Sequence, residues 1–197
     1  MFPLVRTGSE PGRKISEVIL DFVAEIPSTA QHKALEPLAA AHRLARAASR
    51  NAALTSGSLA LPPGPLGLLT LIPDLVAVWK IQSQLVADIA AVYGRQEQLT
   101  KEQMLYCLFR HLASQAVRDL AVRAGERWLV QRASLAVLQT VAQKLGVHLS
   151  RKMIGASLSR WMPLVGAVGV GTYAYFDTRQ VAATAIELFE TEIEVVQ

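Results

Sequence analysis

Residues 52–73 read AALTSGSLALPPGPLGLLTLIP, and residues 73–94 continue as PDLVAVWKIQSQLVADIAAVYG. The first stretch holds 22 residues without a charge, long enough to cross a bilayer as one helix. Gly57, Pro62, Pro63, Gly64 and Pro65 break it at its middle, because proline removes a backbone donor and clashes with the preceding turn. The second stretch predicts an amphipathic helix from Pro73 to Tyr93. Leu75, Val78, Trp79, Leu85, Ile89 and Val92 fall on one side, and Lys80, Gln84 and Asp88 on another. Pro73 and Asp74 suit its first turn, and Gly94 suits its end.

Working outward, the same 3.6-residue period recurs on both sides. Ile15, Val18, Ile19, Phe22 and Ile26 predict a helix from Lys14 to Glu25, stopped by Pro27. Ser28 and Gln31 fit a capping box for an Ala-rich helix running to about Leu54 and bent at Pro37. Thr100 and Gln103 fit a second capping box, opening a helix to about Ala124. Further helices are predicted from Glu126 to Leu145, ended by Gly146, from Ser150 to Arg160, and from Asp177 to about Val195. No stretch alternates with period two over strand length, so β structure is expected to be a minor component. Residues 161–176 form a second uncharged run, from Trp161 to Phe176. As a helix it would span about 24 Å, short of the roughly 30 Å hydrocarbon core.

The two uncharged segments share a layout. Pro65-Leu66-Gly67 answers to Pro163-Leu164-Val165-Gly166, Gln84-Leu85-Val86-Ala87 to Gln180-Val181-Ala182-Ala183, and Trp79 to Tyr175. A weak internal repeat with an offset of 96 predicts two helical hairpins about a pseudo-twofold axis. The expected fold is therefore all-α, a single-domain multi-helix bundle with two apolar hairpin segments marked by Gly and Pro. Residues 1–13, with Pro3, Gly8, Pro11 and Gly12, read as a flexible lead-in, and residues 14–197 as the helical domain.

Composition leans apolar. In 197 residues, 51% are hydrophobic and 18% charged, and mean hydropathy is +0.28; soluble domains average about 25% charged. The net charge of +4 is unevenly spread. Residues 95–160 carry 11 basic and 4 acidic side chains, and residues 161–197 carry 1 and 5. A basic block beside apolar segments suits the anionic face of a membrane. The block offers Arg118, Arg123, Arg127, Arg132, Arg151, Lys152 and Arg160 for anionic head groups, although helical spacing does not put them on one face. No arm, finger or aromatic RNA-binding motif accompanies the charge, so nucleic acid is not expected. Cys107 is the single cysteine, which excludes an internal disulfide and fits a reducing cytoplasm. The N-terminus lacks the apolar core of a signal peptide.

The motifs of catalysis are sparse. Cys107 and His111 are four apart, so a thiolate–imidazole pair is conceivable, but no third group orients it and a core role is the better reading. Asp74 and Asp177 sit where helices are expected to start and would cap them; Asp88 could pair with a distant Lys or Arg. His32, His42, His111 and His148 have no zinc spacing. Gly166, Gly169 and Gly171 lack the strand and acidic residue of a nucleotide loop and suit close helix packing instead. No catalytic residue, metal or cofactor is assigned, and an enzyme (an unrecognised hydrolase or transferase) is the least favoured alternative. Leu66, Leu68, Leu69, Ile72, Trp79, Trp161, Val165, Val168 and Tyr173 are the expected contacts with lipid or another apolar partner, Trp161 and Tyr173 as interfacial aromatics.

Val141-Ala142-Gln143-Lys144-Leu145-Gly146, the Pro163 to Gly169 run, Phe176-Asp177 and Ile89-Ala90-Ala91-Val92-Tyr93-Gly94 resemble the EcsC-like family of bacterial proteins over about two thirds of the chain. The match departs at Val170 and Thr172, where the family pattern often has Gly and Asn. The resemblance implies membrane association and no assigned activity; the family's name comes from a gene beside those of an ABC transporter. The expectation is a non-catalytic protein that binds a membrane, a lipid or a hydrophobic ligand, peripheral or partly inserted at the cytoplasmic face. The alternative is a helical scaffold, homo-oligomer or transporter partner whose apolar segments are core or seam.

Overall fold

The structure, a computed structural model, describes residues 10–59, 71–112, 121–124, 127–131, 135–157, 163–191 and 193–196. Six α-helices form among them: α1 (Glu10–Ala24), α2 (Pro37–Leu59), α3 (Leu71–Val92), α4 (Lys101–Phe109), α5 (Leu135–Ser157) and α6 (Pro163–Glu190). The fold is an all-α helical bundle. Three short strands are a minor addition: β1 (Ala121–Ala124), β2 (Arg127–Gln131) and β3 (Ile193–Val196). β1 pairs antiparallel with β2, Arg123 opposite Trp128, and β2 pairs parallel with β3, Trp128 opposite Ile193.

Local chemistry sets several boundaries as the sequence predicts. Thr100 accepts from the Gln103 amide at 3.3 Å while the Gln103 side chain accepts from the Thr100 amide at 2.9 Å, completing the capping box of α4. Gly94 adopts φ +70° just beyond α3, a left-handed conformation that only glycine reaches cheaply. Its amide closes on the Ala91 carbonyl at 2.8 Å.

Elsewhere tertiary partners overrule the local reading. Ser28 and Gln31 open no helix. Thr29 Oγ1 accepts from the Gln31 amide at 3.0 Å and donates to Asp88 at 2.5 Å, and Gln84 donates to the Ser28 carbonyl at 3.0 Å. The segment is thereby tied to α3, and Asp88 finds a hydroxyl and the Gln84 amide (2.9 Å) rather than a cation. α2 then starts at Pro37, since the residue before a proline is pushed out of the helical region. α1 begins at Glu10, ahead of the expected Lys14. Gly146 does not end a helix: α5 is continuous from Leu135 to Ser157. Asp177 caps nothing, because α6 starts 14 residues earlier, at Pro163. The helices expected to Ala124, from Glu126 and to Val195 give way to the three strands. Their Val, Ile and Trp residues favour extended backbone, and β3 pairs with β2 across more than sixty residues of chain, a partnership that no local period reveals.

α2 packs against α3 and α6, and α5 chiefly against α1. The main core gathers Ile15 and Ile19 of α1, Leu85 and Ile89 of α3, Leu145 of α5, and Leu188 and Phe189 of α6 around α4. Every α4 residue from Glu102 to Phe109 is buried. A smaller cluster joins Ala52, Val78 and Ala174. α3 and α6 therefore both run from the small cluster to the large one, parallel and in register. The Gln82–Thr178 hydrogen bond (3.2 Å) repeats the offset of 96 that separates Val78 from Ala174. The repeat reaches this far; α5, lying on α1, does not fold back on α6 as α2 does on α3.

Burial also tunes the phenols near the core. It pushes Tyr106 up to about 12, opposed by Arg110 and aided by Glu187 and Cys107; Tyr93 rises to about 12 through burial and then Glu190. Unfolded tyrosines ionise near 10. Between about pH 10 and 12 the unfolded chain releases protons that the folded chain keeps, so stability is intact below 10 and falls as pH rises. Urea midpoints measured across this range should decline together with the appearance of tyrosinate absorbance. A midpoint independent of pH there would contradict the burial of both rings.

Candidate functional site

The described parts of both uncharged segments lie at the same end of the bundle. α2 runs toward this end and finishes at Leu59, while α3 and α6 start there. The close approach is made at Gly171: a Cβ placed on it would stand 2.9 Å from the Ala53 carbonyl oxygen and 3.7 Å from Gly57 Cα. Gly169 differs, with open space where its Cβ would be. Of the glycines in this run that the structure describes in full, one serves helix packing and the other does not.

The outer face of α6 at this end is bare. Val168, Gly169, Thr172, Tyr173 and Phe176 are exposed in succession, with Val168 70% and Phe176 59% accessible. On α2, Leu54 is 73% accessible, one residue from the carbonyl that faces Gly171. An ordinary solvated helix face carries charge; residues 161–176 have none. Contiguous exposed apolar patches are common at binding surfaces, which makes this face the candidate site.

Among the expected apolar contacts, the structure puts Val168 and Tyr173 on this face. Trp79 is a correction. It is buried at 5%, edge-on to Phe109 at 5.3 Å and to Phe22 at 6.4 Å, because the opposite side of α3 takes the solvent. Ile72 and Val165 lie within α3 and α6 at the same end. Leu66, Leu68, Leu69 and Trp161 lie outside the described residues, as do Arg118, Arg132 and Arg160. Arg123 falls on β1, Arg127 on β2, and Arg151 and Lys152 near the end of α5. Leu54 and Phe176 belong to the face but not to the expected set. Both lie in the uncharged segments, and only the helix packing shows which side of each segment is turned outward.

Behind the apolar end, α2 and α3 enclose an open cleft of about 370 Å³. Leu44, Ala48, Ile81 and Leu85 line it, with Lys80 and Asn51 toward the apolar end and Asp88 at the other. The volume lies within the range of about 300–1,000 Å³ usual for small-molecule sites.

Two polar groupings sit inside the bundle. Gln82, fully buried, donates to Asp177 at 2.8 Å and to Thr178 at 3.2 Å. His111 Nε2 lies 2.7 Å from the other Asp177 oxygen, too poorly aligned to form a hydrogen bond. This cluster ties α3, α6 and the turn after α4 together. Arg110 pairs with Glu187 and stacks over the Tyr106 ring at 5.5 Å. Among the described residues no three His, Cys, Asp or Glu side chains converge as a metal site requires.

Cys107 is completely buried, and burial pushes its thiol well up. His111 is engaged by Asp177 and belongs to a 3₁₀ turn, Arg110–Leu112, beyond the end of α4. A neutral, enclosed thiol is a poor nucleophile. The native protein is expected to leave an aromatic disulfide reagent unreacted for as long as it stays folded, and to release one equivalent of thiol in denaturant. Rapid reaction of the native state would reopen the thiol reading.

The fold and this face define an all-α bundle with a partly exposed apolar end. The model of the EcsC protein family matches residues 12–191, and the chain belongs to that family. Neither a curated protein nor a solved structure matches the chain at a significant level. Within α3, Leu75–Val92 is apolar and long enough to cross a membrane, alone in this among the described helices, and 61% of it is buried inside the bundle.

Proposed function

We propose that the chain is a non-catalytic helical protein that binds a membrane, a lipid or another hydrophobic ligand through its apolar end, peripherally or partly inserted at the cytoplasmic face. The observation that carries this reading is the exposed run of Val168, Tyr173 and Phe176 beside Leu54. Fully burying a side chain of this size contributes about 1.5–3 kcal/mol, so even partial burial of four neighbours favours an apolar partner. A core assignment accounts for Trp79 but not for these residues.

Co-sedimentation with phospholipid vesicles tests the proposal. The wild-type chain should pellet with vesicles, and Val168→Ser combined with Phe176→Ser should release it, while thermal unfolding stays nearly unchanged because both side chains are exposed. The same face could instead be the seam of a homo-oligomer or the docking surface of a transporter subunit. A mass in solution that falls to the monomer on the same substitutions, with no vesicle binding by the wild type, would replace the lipid reading by the seam.

A further inference from the structure

We infer that Arg46, Arg50, Lys80 and Arg179 form a basic collar behind the apolar end and seat that end on an anionic phospholipid surface. The inference rests on the function proposed above and names the head-group residues, which differ from the basic block between Arg118 and Arg160.

The placement follows from helix geometry. Ala52, Val78 and Ala174 meet in one cluster and mark a common level on α2, α3 and α6. At 1.5 Å per residue, Arg50 and Lys80 each stand about 3 Å behind that level, away from the apolar end; Arg46 and Arg179 stand about 8–9 Å behind it. Arg50 is one turn behind Leu54, and Arg179 one turn behind Phe176. All four cations are exposed. Lys80 lines the cleft at its apolar end, opposite Asn51 of α2, the residue that follows Arg50.

Charge complementarity identifies the occupant. None of the four has an ion-pair partner among the described residues, whereas Arg13, Arg110 and His111 do. α2 contains no acidic residue at all. Asp177, the acid nearest in level, faces His111 and Gln82; Asp88 holds Thr29 at the far end of the cleft; Asp74 lies in the first turn of α3, on the apolar side. Cations placed one to two turns behind an uncharged, exposed apolar face match the order met on approaching a bilayer from within it: hydrocarbon first, then phosphate. Basic residues near such a surface act over a Debye length and are weakened by salt.

The test compares neutral phosphatidylcholine vesicles with vesicles containing phosphatidylglycerol, at low and high salt. Wild type should bind the anionic vesicles more tightly, and salt should remove the difference. The triple variant Arg46→Ser, Arg50→Ser, Lys80→Ser should bind anionic vesicles more weakly by on the order of 100-fold at low salt, and neutral vesicles as wild type does. Equal wild-type affinity for both vesicles, or a triple variant that keeps the anionic preference, overturns the collar and leaves the apolar contact standing. Binding to duplex DNA through the same arginines with indifference to vesicles also overturns it. If the Val168→Ser, Phe176→Ser variant keeps all its binding while the triple variant loses it, the collar stands and the apolar-contact function falls. Circular dichroism melts confirm that each variant is folded.

Discussion

Gly171→Ala should lower stability by about 1–3 kcal/mol, the range for forcing extra volume into a packed site, whereas Gly169→Ala, two residues earlier, should raise it by up to about 1 kcal/mol. Both positions are in α6, where alanine is the better helix former by about 0.8–1.0 kcal/mol, so propensity alone predicts a gain at each. The surroundings separate them. At Gly171 the new Cβ would meet the Ala53 carbonyl oxygen at 2.9 Å, and backbone cannot swing aside as a side chain can. α2 and α6 would have to move apart, loosening the Ala52, Val78 and Ala174 cluster beside them. At Gly169 nothing lies within 4 Å, and the propensity gain is kept. Urea unfolding of the two single variants measures the difference, and equal midpoints would refute the close approach of the two helices.

Asp177→Ala is expected to cost about 2–4 kcal/mol. Its carboxylate accepts from Gln82 at 2.8 Å and lies 2.7 Å from His111 Nε2, with the Asp and His side chains only 12% and 10% accessible. Truncation leaves Gln82 with Thr178 as its one remaining acceptor, although Gln82 Oε1 already lacks a partner among the described residues, and it removes the carboxylate that lies against His111 Nε2. Stranding buried polar groups costs about 1–3 kcal/mol each, and more where a charge is involved. The pair Arg13–Glu17 makes the contrast. It is 3.9 Å apart with both side chains 65% accessible, so Glu17→Ala should change stability by less than about 0.5 kcal/mol. An unfolding series in which the two substitutions behave alike would show that the Asp177 cluster is not structural.

How much of the site was legible follows from the kind of information each residue carries. The two uncharged segments and the apolar character of Val168 and Tyr173 could be read directly, because charge and side-chain size are properties of single residues; the packing role expected of the glycines holds at Gly171 and not at Gly169. Trp79 could not be assigned correctly. Its helix was recognised, but an amphipathic stripe does not say whether its apolar side meets protein or lipid. The proposed collar could not be read for a related reason: Arg46, Arg50, Lys80 and Arg179 are scattered over more than 130 positions and come to neighbouring levels only when three helices pack together. The expected capping box at Ser28 does not form: Gln84, 56 residues away, donates to the Ser28 carbonyl, and Thr29 is tied to Asp88, 59 residues away.

The sequence by itself determined that this protein is helical, where α3 begins and ends to within two residues, that Thr100 caps α4, and that two long stretches lack charge. These features rest on interactions within a few residues of one another. Only the tertiary structure decided that both stretches meet at one end, that residues 121–124, 127–131 and 193–196 leave the helical pattern to pair with each other, and that Gly171 touches α2 while Gly169 does not. Such outcomes depend on contacts between distant segments, whose free energies exceed the small local preferences and leave no periodic trace in the chain.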